Sequence, residues 1–291
     1  MKILRTVADT QALCRELRRE GHRIGLVPTM GALHDGHLSL VKSAKSQCDF
    51  VIASIFVNPL QFGPNEDFSK YPRTFERDCQ LLEAEGVAAV FAPTPEEMYP
   101  KEAATFVEVE GLPQKLEGRT RPTHFRGVTT VVNKLFNIVQ PDRAFFGQKD
   151  AQQVVIIHKM ARDLDMDIDI VVCPIIRERD GLAMSSRNRY LSAEQRAQAL
   201  ALYRALTRIQ TEADRGESSA MKLMESGKSV IAEEPQVRLD YLEIVDRESL
   251  DPVADISHGA LVAVAAFVGP TRLIDNIVLH GAGTATRPEL H

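Results

Sequence analysis

The chain has 291 residues, with 35 Lys and Arg against 40 Asp and Glu, a formal net charge of −5. That length lies at the upper edge for one hydrophobic core, so one large or two unequal domains are expected, and 44% apolar with 26% charged residues excludes a mainly disordered chain. The acidic balance excludes a general attraction to nucleic acid or an anionic membrane, while leaving room for a local basic pocket that takes a phosphorylated ligand.

No early apolar stretch is long enough for a secretory signal, and the longest apolar run, residues 260–268, is far too short to span a bilayer. A cytoplasmic location without membrane contact is expected. Cys14, Cys48, Cys79 and Cys173 are widely spaced with no C-x-x-C pair, which predicts buried small hydrophobes rather than a disulfide framework.

In chain order, residues 24–27 read as a strand, followed by a loop and a helix over about 37–46. Residues 50–57 (F-V-I-A-S-I-F-V) show no polar face, which suits a central parallel strand covered on both sides. Residues 74–85 read as a helix closed by Gly86, before a short strand at 88–91. Val128, Val131, Val132, Leu135 and Val139 recur at helical spacing and bury one stripe. A strand at 144–146 ends in Gly147-Gln148-Lys149-Asp150, a helix follows to about 164, and 168–173 form another strand. This rhythm predicts a doubly wound parallel α/β sheet of Rossmann-like type.

The pattern changes after Pro174. S-A-E-Q at 192–195 is a capping-box start for a helix reaching about residue 213, and 218–233 read as a second helix. Strands are expected at 237–245, 261–267 and 273–278. Helices followed by consecutive strands predict a smaller α+β domain, so the expected domains are 1–178 and 179–291. The tail from Thr284 is expected to be loosely ordered.

Chemistry concentrates at three places. Directly after the first strand, residues 28–37 read P-T-M-G-A-L-H-D-G-H. Ligands of open parallel sheets bind beyond the carboxyl ends of the strands, where helix N-termini present unpaired N–H groups. Gly31 and Gly36 would let the backbone approach a phosphate. Their spacing matches a Walker A loop, but His37-Leu38 stands where Lys-Ser/Thr is required, which excludes a P-loop. His34 and His37 remain as an H-x-G-H pair able to donate hydrogen bonds to phosphate oxygens as charge develops. A zinc pair is disfavoured, since no third ligand stands at a suitable spacing.

At the end of a second strand, Gly147, Gln148, Lys149 and Asp150 supply close approach, a positive charge and a carboxylate able to cap a helix or hold a ribose hydroxyl. A capped turn with a surface lysine accounts for the same residues. Past the domain boundary, Met184-Ser185-Ser186-Arg187 offers two hydroxyls and a guanidinium to clamp a triphosphate, or a plain polar linker. Ser39-x-x-Lys42 lacks the companion motifs of a penicillin-binding enzyme.

P-T-M-G-A-L-H-x-G-H (28–37), F-V-N-P-x-Q-F (56–62), F-F-G-Q-K-D-x-Q-Q (145–153) and G-L-A-M-S-S-R-N (181–188) follow one another in this order. Together they make the chain resemble the pantothenate synthetase (pantoate–β-alanine ligase) family over about residues 1–280. That family belongs to the nucleotidyltransferase branch related to class I aminoacyl-tRNA synthetases. The A-M-S-S-R stretch departs from the K-M-S-K-S of that branch but is as this family writes it.

The resemblance implies ATP bound by Met30, Gly31, Ala32, Leu33, His34, Asp35, Gly36, His37, Gly147, Gln148, Lys149, Asp150, Ile176, Met184, Ser185, Ser186 and Arg187. It implies pantoate on Gln61 and Gln153, with Gln61 also reaching β-alanine, Asn58 and Tyr71 as secondary candidates, and Val128, Val131 and Val132 as the apolar wall. The implied reaction makes a pantoyl adenylate and pyrophosphate, then pantothenate and AMP as the β-alanine amine attacks. His34, His37, Lys149, Ser185, Ser186 and Arg187 would stabilise charge, with Mg²⁺; the family labels the position of His37 a proton donor. No residue is an obvious base for the amine. The resemblance also implies a homodimer through the N-terminal domain and a lid role for the smaller one. H-x-G-H alone also fits transfer of a nucleotidyl group to a phosphate acceptor, and a non-catalytic nucleotide-binding module is a further alternative; a tRNA-binding fragment is weakened by the charge of −5.

Overall fold

The computed structural model describes residues 1–64 and 66–281, so the tail from Thr284 lies outside the described residues. The chain divides into two compact units. One comprises Met1–Gln114, Gly118–Gln148 and Ile156–Pro174; the other comprises Lys115–Glu117, Lys149–Val155 and the chain from Ile175 onward.

The first unit is built on six strands, β1 (Lys2–Leu4), β2 (Ile24–Thr29), β3 (Phe50–Ile55), β4 (Ala89–Phe91), β5 (Arg143–Gly147) and β6 (Asp169–Cys173). They form one sheet in the order β1-β4-β3-β2-β5-β6, parallel at every pairing. The helices of this part of the chain are α1 (Val7–Arg19), α2 (Asp35–Gln47), α3 (Phe75–Ala84), α4 (Pro95–Met98), α5 (Glu117–Thr120), α6 (His124–Val139) and α7 (Ala151–Asp163). The doubly wound sheet is as the sequence predicts.

Alternation along the strands explains the two covered faces. Val27, Val51, Ala53, Val90 and Phe145 share a core with Leu33, Leu40, Val41 and Ala44 of the α2 segment and Leu82 of α3. On β5 the next residue, Phe146, turns the other way and meets Phe136 of α6 edge-on at 6.5 Å between ring centroids. Each fully buried aliphatic side chain of this kind contributes about 1.5–3 kcal/mol.

β1 and α1 correspond to no predicted element. Thr6 caps α1 by accepting from the Asp9 N–H at 3.1 Å, and Thr10, Cys14 and Leu17 form its buried stripe. The four thiols are free; Cys14, Cys48 and Cys173 are buried as expected, whereas Cys79 is half-exposed. Burial pushes all four thiols up, Cys14 to about 11.

The second unit holds α8 (Ala193–Gln198), α9 (Leu200–Asp214), α10 (Ala220–Ala232) and an antiparallel sheet of β7 (Val237–Val245), β8 (Ala260–Val268) and β9 (Thr271–Leu279). The Ser192/Gln195 capping box is formed. The single helix expected from there is instead two, meeting at Ala199. Leu202, Leu206 and Ile209 of α9, Leu223 and Ile231 of α10, and Val262, Val264 and Ala266 of β8 fill one core.

Glu117 joins this unit through Arg272 of β9, which donates to both its oxygens at 2.6 and 2.8 Å and to Asp240 at 2.7 Å. Burial works against the charge on Arg272, but Glu117 and Asp240 outweigh it and raise its pKa.

Candidate active site

The loop leaving β2 is held by its neighbours. Thr29 Oγ1 donates to the Ser54 carbonyl of β3 at 2.7 Å and accepts from the Gly31 N–H at 3.1 Å. Gly31 and Ala32 then take consecutive positive φ values, 81° and 52°. A Cβ at Gly31 would stand 3.1 Å from Asp78 Oδ2 and 3.2 Å from Ile55 Cγ2, so glycine serves both backbone and space there.

Ala32 has no such freedom, and what holds it is a buried carboxylate. Asp78 of α3 is fully buried and accepts from the Ala32 N–H at 2.8 Å and the Leu33 N–H at 2.9 Å. Thr74 Oγ1 lies 3.0 and 3.1 Å from its two oxygens. Two charge-assisted bonds offset backbone strain of about 1–3 kcal/mol at a non-glycine residue in this region.

α2 starts at Asp35, two residues earlier than the sequence spacing predicts, because the histidines themselves cap it. His34 is the N-cap, its Nδ1 accepting from the Gly36 N–H at 3.2 Å. His37 Nδ1 in turn accepts from the His34 N–H at 3.4 Å. The rings lie 4.1 Å apart between centroids. With each Nδ1 used as an acceptor, each neutral imidazole carries its proton on Nε2, a donor nitrogen set at the positive end of a helix.

β3 lies beside β2 and delivers the next group. Phe56 N–H donates to the Thr29 carbonyl at 3.0 Å, and the chain then turns through a 3-10 segment, Pro59–Gln61, capped by Asn58. Asn58 is almost wholly buried. Its amide donates to Gln61 Oε1 at 2.8 Å and the Gly127 carbonyl at 3.0 Å, and its oxygen accepts from Tyr99 Oη at 2.9 Å and the Leu60 N–H at 3.3 Å. Asn58 therefore orients Gln61 by taking its Oε1, which leaves the NH₂ as the donor end of that side chain.

α6 packs directly on this turn. A Cβ at Gly127 would meet the Leu60 carbonyl oxygen at 2.2 Å. The next turns of α6 bring Val128, Val131 and Val132, all buried. Tyr71 is also buried and packs edge-on against Phe62 at 5.8 Å. On the other side of β2, β5 ends in Gly147, followed by Gln148. Thus β3, β2 and β5, adjacent and parallel, present the amide turn, the histidine loop and the Gly147–Gln148 end at the same edge of the sheet.

The second unit carries the remaining predicted residues. Lys149 Nζ is 3.6 Å from Asp150 Oδ1. Gln153 is half-buried, whereas Gln152 is buried and spans Lys115 and Glu117, accepting from the Glu117 N–H at 2.9 Å and donating to the Lys115 carbonyl at 2.8 Å. Residues 176–184 form a hairpin, with Met184 N–H on the Ile176 carbonyl at 3.0 Å and Glu178 N–H on the Leu182 carbonyl at 2.8 Å. Ser185 caps a 3-10 turn, Ser186–Tyr190, by accepting from the Arg187 N–H at 3.2 Å. Met184, Ser185, Ser186 and Arg187 thus sit on one ordered turn.

The pantoate-β-alanine ligase family model matches residues 2–278. The chain belongs to this family.

It is 62% identical over 288 residues to the pantothenate synthetase of Koribacter versatilis (strain Ellin345), covering 99% of each chain. Among solved structures, the pantothenate synthetase of Thermus thermophilus superposes with a TM-score of 0.91 at 49% identity, over 95% of this chain and 99% of that one. The pantoate-β-alanine ligase of Francisella tularensis, solved with β-γ ATP and β-alanine, gives 0.77 at 34% identity, over 96% and 97%.

For a pantoate–β-alanine ligase, the residues that sequence reasoning passed over are the ones that hold the others in place. Asp78 had a readable signal, a lone acid on the buried stripe of a helix with Leu82 four residues on. The His34/His37 capping box was also readable, since i, i+3 is the capping spacing. Gly127 had none, because its need for a bare Cα arises from a turn more than sixty residues away.

Proposed function

We propose that the chain joins pantoate to β-alanine, giving pantothenate while ATP becomes AMP and pyrophosphate. What carries this reading, within the ligase family, is the row of three neighbouring strand ends bearing Asn58–Gln61, His34–His37 and Gly147–Gln148. A pantoate carboxylate oxygen attacks the α-phosphorus of ATP; the bond to the β-phosphate oxygen breaks and pyrophosphate leaves. The neutral amine of β-alanine then attacks the acyl carbonyl of the pantoyl adenylate, AMP leaves, and the amine proton passes to solvent.

His34 and His37 act through Nε2–H on the phosphoryl oxygens, where positioning and charge matter more than covalent chemistry. Met30, Gly31, Ala32, Leu33, Asp35, Gly36, Gly147, Gln148, Lys149, Asp150, Ile176 and Met184 take the nucleotide, and Ser185, Ser186 and Arg187 its phosphates. Gln61 and Gln153 bind the hydroxy acid, with Asn58 aiming Gln61 and Tyr71 packed nearby. Val128, Val131 and Val132 suit its gem-dimethyl group. Proximity of a bound amine to a bound adenylate replaces a dedicated base.

Among the described residues no three His, Cys, Asp or Glu side chains cluster for a metal. No side chain of this chain is assigned to a metal; a Mg²⁺ entering with the triphosphate would supply neutralisation of phosphate charge. The same reading makes the working form a homodimer through the N-terminal domain, and the compartment the cytoplasm; among the described residues no helix is long and apolar enough to cross a membrane.

The test is ATP–pyrophosphate exchange. It should require pantoate and proceed without β-alanine, with AMP and pantothenate accumulating only when all three substrates are present. Exchange supported by a phosphate acceptor in place of pantoate would overturn the reading.

A further inference from the structure

β9 carries two polar residues side by side, Asp275 and Asn276, inside the apolar run from Leu273 to Leu279. Both are buried, 4% and 3% exposed. Adjacent strand residues point to opposite faces, so the pair reaches two different segments of the second unit.

Asp275 takes the guanidinium of Arg177 bidentately, at 2.6 and 2.9 Å. The same guanidinium donates to the Gly181 carbonyl at 3.0 Å and lies 4.6 Å from the Tyr203 ring centroid. Arg177 is thereby fixed on three sides within the 176–184 hairpin, where it pairs with Ala183. Gly181 packs closely on the same ring, since a Cβ there would meet Tyr203 at 2.1 Å. Asn276 reaches elsewhere: its Nδ2 donates to the main-chain carbonyl of Lys149 at 3.0 Å. The main-chain N–H of Asn276 donates to Asp275 Oδ1 at 2.8 Å, which ties the Asp275 carboxylate to the strand backbone beside the Asn276 side chain.

We propose that Asp275 and Asn276 are positioning residues for adenylate formation. This strand segment holds both the carbonyl of Lys149 and the hairpin that carries Ile176 and Met184, and so sets the lysine ammonium and the adenine-side backbone in a fixed register. The inference rests on the assignment of Lys149, Ile176 and Met184 to ATP made above. A strand is a stiff mount, and groups held to within a fraction of an ångström by buried hydrogen bonds keep the rate that a displacement of about 1 Å would lower by about a hundredfold.

The experiment compares Asn276→Ala and Asn276→Asp in the parent and in a Lys149→Ala background, reading pantoate-dependent ATP–pyrophosphate exchange, the KM for each substrate and the melting temperature. In the parent background, kcat/KM for ATP should fall by about tenfold or more while the pantoate KM moves by less than about twofold. In the Lys149→Ala background the same substitution should cost less than about threefold, because the ammonium it aims is gone. Equal losses in both backgrounds, or equal effects on both substrates, would overturn the proposal. Should the Asn276 variants not fold, Arg177→Lys tests the other arm, since it removes the bidentate fork and keeps the charge. A loss selective for ATP supports the proposal there, and its absence overturns it. If the parent shows no pantoate-dependent exchange, the functional reading fails, whatever Asn276 does; if the parent exchanges but Lys149→Ala leaves the rate unchanged, the assignment of Lys149 fails and overturns this proposal alone.

Discussion

Asp78→Asn removes a charge without changing shape at the base of the histidine loop. In the parent, both carboxylate oxygens are used, one by the Ala32 N–H at 2.8 Å and the other by the Leu33 N–H at 2.9 Å. Asparagine keeps one acceptor and turns an NH₂ toward the second N–H, so one charge-assisted bond of about 1.5–3 kcal/mol is lost. The positive φ of Ala32 then has one restraint fewer. A destabilisation of about 2–3 kcal/mol should lower the melting temperature by about 5–10 °C. Leu33 runs straight into His34, so both imidazoles shift with the loop, and pantoate-dependent exchange should fall about ten- to a hundredfold at saturating ATP. The assay is exchange well below the lowered melting temperature, beside a thermal melt. An exchange rate within about twofold of the parent would refute the reasoning, because Asp78 would then stabilise the fold without placing the histidines.

Lys149→Ala should slow single-turnover adenylate formation by more than about tenfold; an unchanged rate would remove the lysine from the phosphates. Gln153→Ala should raise the pantoate KM more than the ATP KM, and the reverse order would place that amide elsewhere. Glu66 supplies a pH test. Burial pushes its carboxyl up, but the Arg121 guanidinium, bonded at 2.6 Å, outweighs this and holds it below the usual carboxylate value. The stabilisation is therefore complete above that usual value and drains away as the pH falls through the lower, folded one. Glu66→Gln should melt below the parent at about pH 6 and converge on it under acid; a constant gap across this range would mean the pair contributes nothing ionic.

β2, β3 and β5 were legible because a central parallel strand leaves an uninterrupted apolar run, and such a run tells its neighbours apart from an amphipathic helix. The histidine loop was legible by position, as a strand-to-helix turn. β1 was not: three residues with little burial carry no period, and its pairing with β4 depends on contacts almost ninety residues away. The break at Ala199 lies in a stretch without Gly or Pro, where local propensity favours one continuous helix. The residues proposed to bind the substrates were named by motif, while the contacts of Asp78, Asn58's full complement of partners, and those of Asp275 with Asn276 involve groups brought near by folding.

In the binding mode proposed above for the hydroxy acid, Gly127 decides how much room that acid has. With its Cα pressed against the Leu60 carbonyl, helix α6 and the amide turn touch main chain to main chain and can come no closer, while the Asn58 amide on the Gly127 carbonyl at 3.0 Å resists their separation. Tolerance for a bulkier acid could not come from loosening that joint. It would have to be carved from side chains, by trimming Val131 or Val132, and a methyl added at residue 127 would pry the two walls apart and leave Gln61 aimed at the wrong place.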